Sequence, residues 1–307
     1  VSEPQTLRAL QHAMAAQFDA LPVAQRPDDP ILEAGQALAA LLGTSLAALR
    51  APLRDGALAP ASLVARAHAV VADVQRGMPM AYAVGVAPFR HLELAVDPRV
   101  LIPRPETEIV VEHALRVCAD RAGGVAVDIG TGSGAIALSL AQEGRFDAVI
   151  ATDISVDALT VAQANAARSA DVLRCPVTFR HGSDLAPLVG ERVRLIVSNP
   201  PYIAHAEADA LPSAVRDWEP VTALFAAHDG MARYAAIVSA APAVLEDGGW
   251  LVFECDARRA HQVAALFDAA EGWRDVLVFP DLTGRDRVCV GRYAAESAAR
   301  SSGASAR

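Results

Sequence analysis

Three short segments carry residues whose types and spacing suit chemistry. The first is Asp128-Ile129-Gly130-Thr131-Gly132-Ser133-Gly134, which follows an apolar run and precedes a helical one. Glycines at such a turn let a ligand approach backbone N–H groups at a helix N-terminus. Gly130, Gly132 and Ala135 also satisfy a permissive dinucleotide fingerprint, and a tight strand-to-helix turn with no ligand uses the same residues. The second is Asp153, which ends the next apolar run. An acid there can accept hydrogen bonds from both hydroxyls of an adenosine ribose, or it can cap the helix beginning near Val156. NAD and S-adenosylmethionine share that ribose. The third is Ser198-Asn199-Pro200-Pro201-Tyr202-Ile203. Its prolines remove backbone donors and stiffen the chain, so the Asn199 side-chain oxygen and the Pro200 carbonyl become fixed acceptors. Two acceptors side by side suit an NH₂ group. Methylation of an amino or amide nitrogen needs such a pair, and hydride transfer does not.

The elements that position these segments follow from periodicity. From Leu7 to about Gln75, apolar residues recur at spacings of three and four between breaks at Pro22, Pro27, Pro30 and Pro52, the pattern of a small helical bundle. Pro60 or Ser62 starts a helix that stops at Arg76-Gly77-Met78-Pro79, giving a boundary near residue 80. Between Tyr82 and Val100 the apolar residues alternate, as in a short hairpin. Pro103 and Pro105 then fix an irregular loop, and Thr107 or Glu106 opens a helix running to about Arg121. Strands at 125–129, 148–152, 177–181, 194–198 and 250–254 alternate with helical stretches, the order of a parallel α/β sheet. Runs at 276–279 and 288–292 lie too close together for a helical crossover and predict an antiparallel hairpin. The expected organisation is a helical domain over 1–80, a connecting hairpin over 81–100, an α/β domain over 101–293 and a mobile tail over 294–307.

Composition excludes several classes. With 53% hydrophobic and 21% charged residues, the chain has the profile of a globular protein rather than a disordered or coiled-coil one. A net charge of −9 opposes a nucleic-acid partner. Cys118, Cys175, Cys255 and Cys289 form no CxxC pair and no cluster with histidine, so no metal site is expected and a reducing cytoplasm fits. No leader pattern or membrane-length apolar run is read, and no long heptad asks for a partner, so a monomer away from membranes is expected.

The chain resembles the release factor glutamine methyltransferases, the PrmC/HemK family, within the class I S-adenosylmethionine-dependent methyltransferases. The resemblance spans roughly Gly77 to Tyr293 and rests on residues 97–108 (Asp-Pro-Arg-Val-Leu-Ile-Pro-Arg-Pro-Glu-Thr-Glu), on 128–134, on Asn199 to Ile203, and on Val215-Arg216-Asp217-Trp218-Glu219-Pro220. It implies a Rossmann-like domain with a seven-stranded mixed sheet, preceded by a helical bundle that helps recognise the release factor. It also implies that Gly130, Thr131, Gly132, Ser133 and Gly134 hold the methionine part of S-adenosylmethionine, Asp153 its ribose, and Asp184 and Leu185 its adenine. Asn199 would touch both cofactor and substrate. Pro200, Pro201 and Tyr202 would line the slot for the glutamine of the release factors' Gly-Gly-Gln motif, with Asn199, Pro200 and Tyr202 as the catalytic set.

Two positions depart from the family pattern. Leu185 stands where an aromatic is frequent, and Phe253-Glu254-Cys255-Asp256 replaces a glutamate followed by a glycine-containing turn. Because Asn-Pro-Pro-Tyr also occurs in enzymes that methylate amino groups of nucleic-acid bases, such an enzyme is the alternative, as is methylation of another protein glutamine. An NAD-dependent oxidoreductase would leave the Asn-Pro-Pro-Tyr segment unexplained, and a non-catalytic module docking on the translation machinery would not need both Asp153 and Asn199.

Overall fold

The computed structural model describes residues 5–23, 25–226 and 230–295. Over those residues the chain forms two compact units: Val1–Ala87 with Val96–Pro98 and Ala208–Glu219, and Pro88–Ala95 with Arg99–Glu207 and Pro220–Arg307. The units therefore interleave in sequence rather than meeting at one boundary.

In the first unit, helices α1 (Leu7–Asp19), α2 (Pro30–Leu42), α3 (Leu46–Arg54), α4 (Ala61–Gln75) and α5 (Met80–Val84) surround Leu10, Phe18, Leu38 and Ala67, all fully buried. Thr6, Asp29 and Ser45 cap the first three by accepting backbone N–H bonds with their side chains. Pro30 occupies the first turn of α2, where its fixed φ fits and no N–H is lost. Pro52 lies inside α3 instead of ending it, because Asp55 N–H still reaches Ala51 O beyond the proline. The five-residue α5 occupies what alternation alone reads as the start of the hairpin.

The hairpin is narrower than expected, with strands β1 (Val86–Phe89) and β2 (Leu92–Ala95) joined through Arg90 at φ +51°. Phe89, Leu92 and Leu94 are buried while His91 and Glu93 are exposed, as alternation requires. The following helix, α6 (Pro105–Val117), opens at Pro105, ahead of Glu106 and Thr107, because proline is preorganised for the first helical position. It stops at Val117, short of Arg121, where the Cys118 carbonyl turns to accept from Arg194 Nη2 at 2.6 Å.

Then come β3 (Val125–Ile129), α7 (Ala135–Glu143), β4 (Ala148–Asp153), α8 (Val156–Arg168), β5 (Val177–His181), β6 (Val193–Ser198), β7 (Ile203–Ala204), α9 (Ser213–Arg216, in the first unit), α10 (Val221–Leu224), β8 (Phe225–Ala226), α11 (Ala232–Ala240), β9 (Leu245–Glu254), α12 (Ala260–Ala269), β10 (Trp273–Pro280) and β11 (Asp286–Tyr293). The main sheet has seven strands in the order β10-β11-β9-β6-β3-β4-β5. The five strands from β9 to β5 are parallel, and β11 runs antiparallel to both β9 and β10. This is the mixed α/β sheet with a C-terminal hairpin read from the sequence. β9 begins earlier than expected because its Gly248-Gly249 segment absorbs a register shift against β6. The short parallel ladder of β7 on β8 has no counterpart in the periodicity.

The chain order reverses direction between β3 and β6, so their C-terminal ends bracket the crevice where open α/β sheets bind ligands. Of the expected tail over 294–307, Ala294 and Ala295 are held by hydrogen bonds to Gly272 O and Asp247 Oδ1, and 296–307 lie outside the described residues. No single helix among the described residues is long and apolar enough to cross a membrane.

Candidate active site

The glycine turn follows β3, with Gly130, Gly132 and Gly134 at φ +75°, +55° and +87°. Side chains rarely adopt such values, which explains the residue type. Its N–H groups are largely spent inside the protein, a correction to the expectation that a ligand meets them. Gly130 N and Thr131 N donate to Thr152 O, both at 2.9 Å, and Gly132 N donates to Asp153 Oδ2 at 2.9 Å. What the turn offers is space, since a Cβ on Gly130 or Gly132 would meet nothing within 4 Å. Gly134 has a packing role: a Cβ there would come within 3.2 Å of Leu138 Cδ1 and 3.3 Å of Ala162 Cβ. Beneath the turn, Asp128 Oδ2 accepts from Thr131 Oγ1 at 2.7 Å and Ala137 N at 3.1 Å. Complete burial pushes the Asp128 carboxyl up to about 7.

Asp153 is pinned at both oxygens, Oδ2 by Gly132 N and Oδ1 by Ser155 N at 2.9 Å. Ser155, not Asp153, caps α8. The Asp153 carboxylate keeps further lone pairs for a ligand and faces the same cleft as Gly132. Asp184 lines that cleft at φ +50° and accepts from Arg233 Nη1 at 2.8 Å. Leu185 turns the other way, buried in the core among residues such as Ile129 and Leu188. The expected adenine contact through Leu185 is therefore not formed by a side chain on the cleft wall.

Asn199 and Pro201 also line the cleft, together with Thr131 and Ser133. Pro200 is buried, and Tyr202 lies behind the wall against the core. Burial pushes the Tyr202 phenol up to about 12, with the Glu254 carboxylate adding to the shift and Arg287 opposing it. Tyr202 is thus a neutral phenol at any working pH. The structure brings eight of the expected residues to one cleft, namely Gly130, Thr131, Gly132, Ser133, Asp153, Asp184, Asn199 and Pro201, and leaves Gly134, Leu185, Pro200 and Tyr202 off its lining.

Two site residues have contacts that their sequence does not announce. Thr107 Oγ1, which does not cap α6, donates to Glu254 Oε2 at 2.6 Å. Asn199 Nδ2 donates to Thr107 Oγ1 at 3.3 Å. Glu254 closes β9 after an apolar run, and its burial pushes the carboxyl up to about 7. A charged residue ending a wholly buried strand is the signal that it needs an internal partner, though not which one. Glu108 accepts Arg90 N at 2.9 Å and holds the hairpin, a structural task. Chemically, the cleft offers a carboxylate and open backbone at one wall and a fixed carboxamide at the other.

Comparison with known proteins gives this arrangement a family. A family model described as "Methyltransferase small domain" matches residues 107–215. A protein of Geobacter sulfurreducens named "Release factor glutamine methyltransferase" is 40% identical over 238 residues, covering 78% of this chain and 81% of that one. A protein of the same name from Xylella fastidiosa (strain Temecula1) is 43% identical over 225 residues, covering 73% and 80%. Among solved structures, "hMettl16 catalytic domain in complex with MAT2A 3'UTR hairpin 6" has a TM-score of 0.51 at 15% identity, covering 78% of this chain and 85% of that one, a likeness of fold. On the strength of relatives this similar over most of both lengths, the chain belongs to the release factor glutamine methyltransferase family.

Proposed function

We propose that this chain transfers a methyl group from S-adenosylmethionine to N5 of the glutamine in the Gly-Gly-Gln motif of peptide chain release factors. The observation that carries the reading is that Asn199 and Asp153, at the ends of β6 and β4, line one cleft with the open glycine turn between them. The residues fit the cofactor: open space above Gly130 and Gly132 accepts a close neighbour, and Asp153 retains acceptor capacity for a ribose diol. Bound S-adenosylmethionine supplies an electrophilic methyl group on a sulfonium centre.

An amide nitrogen is a poor nucleophile because its lone pair is delocalised into the carbonyl. Displacement at carbon also needs the nitrogen in line with the bond that breaks, so positioning is the main task of the protein. Asn199 Oδ1 and the Pro200 carbonyl each accept one N–H of the glutamine amide and turn its nitrogen toward the cofactor wall. Two fixed acceptors also stabilise the positive charge that develops on that nitrogen. Tyr202, kept neutral by burial, stiffens the slot from behind and does not serve as a base. The surplus proton on nitrogen passes to water at the mouth of the slot as, or after, the carbon–nitrogen bond forms. Asp184 takes the adenine side of the cleft, and the helices over 1–80 recognise the release factor, which the chain meets as a cytoplasmic monomer.

The test is transfer of labelled methyl from S-adenosylmethionine to a purified bacterial release factor, beside its Gln→Ala variant in the Gly-Gly-Gln motif and beside ribosomal RNA. Label on the intact factor alone supports the reading. Label on RNA, or equal label on the variant, contradicts it.

A further inference from the structure

We infer that Thr107 and Glu254 are positioning residues, forming a hydrogen-bonded chain Asn199–Thr107–Glu254 that locks the Asn199 carboxamide with its oxygen available to the substrate amide. The inference rests on the methyl-transfer reading above; Thr107 lines the cleft beside Asn199, and Glu254 lies off its lining. A carboxamide has two nearly equal ends, an acceptor and a donor, and a substrate NH₂ is held only by the acceptor end. Something in the protein must therefore choose the orientation.

The choice is made by counting protons. An ionised Glu254 can only accept, so the single Thr107 hydroxyl proton goes to Glu254 Oε2, at 2.6 Å. Thr107 Oγ1 is left with lone pairs alone, so the end of Asn199 that faces it must be the NH₂, at 3.3 Å. Asn199 Oδ1 is then left for the cleft. Thr107 and Glu254 are 5% and 2% exposed, so their hydrogen bond to each other is made inside the protein. If Glu254 takes up a proton it can donate to Thr107 Oγ1, which frees the threonine hydroxyl to donate to Asn199 Oδ1 and permits the unproductive flip. Groups facing Glu254 bias its charge: the Thr107 hydroxyl, Arg287 from β11 and Arg104 ahead of α6 favour the ionised form, while burial and Glu106 do not.

The chain contains only two asparagines, Asn165 and Asn199, so [¹⁵N]asparagine labelling gives two side-chain NH₂ signals in the intact protein. Asn165, bonded to Ala95 and Ser133, is an internal control. The expected result, with no cofactor or substrate present, is that the Asn199 NH₂ signal shifts through one inflection between about pH 5 and 9 while Asn165 stays flat. Glu254→Gln should abolish that inflection. In turnover, Thr107→Val should lower kcat by about 10- to 100-fold, with S-adenosylmethionine affinity held within about twofold, and Thr107→Ser should restore most of the loss. An Asn199 signal that does not move with pH, or a Thr107→Val enzyme as active as the parent, overturns the inference. So does a Thr107→Val loss matched by equal loss of cofactor binding. Failure of the parent enzyme to methylate a release factor would instead strike the functional reading, leaving the NMR result to decide this one.

Discussion

Asp128 and Glu254 are buried carboxyl groups on strands that flank β6, and each accepts a threonine hydroxyl, Thr131 at 2.7 Å and Thr107 at 2.6 Å. Their ranges differ. Thr131 is three residues from Asp128, and the same carboxylate also takes Ala137 N, so the pair closes the glycine turn on itself. Thr107 is 147 residues from Glu254 and passes the contact on to Asn199. The wall proposed to hold the methyl donor is thus built from neighbouring elements, a short turn after β3 whose N–H groups are closed by Thr152 and Asp153 of β4. The wall proposed to hold the amide is complete only when α6, β6 and β9 have come together.

The sharpest way to separate the two walls is Asn199→Ala. It should lower turnover by roughly 100-fold or more, the scale of losing one fixed group in a preorganised site, while leaving the thermal midpoint within a few degrees of the parent. Initial rates and a thermal melt on the same preparation check it. Parallel losses of rate and folding would show that the two walls are not separable.

Next in size is Asp128→Asn. Asp128 Oδ1 is buried and without a hydrogen-bond partner among the described residues, so an asparagine keeping the bonds to Thr131 and Ala137 would place its NH₂ there. An unsatisfied buried donor costs about 1–3 kcal/mol, readable as a lower urea midpoint. Glu254→Gln should cost less stability, because its carboxamide oxygen can still accept from Thr107. The reverse order would break the comparison.

Both acids also set a pH dependence. Each is raised to about 7 by burial, from ordinary values of 3.8 for Asp128 and 4.5 for Glu254, so the folded chain binds these protons more tightly than the unfolded one. Their contribution to stability is therefore full below the ordinary values and is lost as pH rises through 7, on the order of 3 kcal/mol for each group. His113, held low chiefly by burial, works the other way, adding stability as pH rises toward its ordinary 6.5. Urea midpoints of the cofactor-free protein should fall from pH 5 to pH 8, and each of Asp128→Asn and Glu254→Gln should flatten part of that slope. A midpoint rising over this window would contradict both assignments.

The smallest effect belongs to the side of the cleft proposed to take the adenine. The Arg233–Asp184 ion pair is about one-third exposed at both side chains, so Arg233→Ala should change stability by less than about 1 kcal/mol. A cofactor titration of the same variant measures what the pair contributes to the cleft.

The comparison also explains what the sequence made legible. The strands, the order of the α/β elements and the C-terminal hairpin were readable because apolar runs and turn residues are local signals. Asp153 is legible because it ends an apolar strand run, and Asn199 because it stands between a strand end and two prolines. Thr107 reads as a helix opener, since threonine is a common cap, yet Pro105 takes the start of α6 and releases the hydroxyl. Leu185 is expected on the cleft only through the family resemblance, but the positive φ at Asp184 re-aims the chain and the leucine is buried. Contacts such as Thr107 to Glu254 and Asp184 to Arg233 join distant parts of the chain, and no spacing rule reports them.

The central claim is that this cleft methylates one glutamine side chain. Mass spectrometry of the Gly-Gly-Gln peptide, after a release factor is incubated with S-adenosylmethionine and either the parent protein or Asn199→Ala, tests it most directly. The account predicts a single methyl on the glutamine nitrogen with the parent and little or none with the variant. A methyl on any other residue, or an unmodified peptide despite bound cofactor, would contradict it.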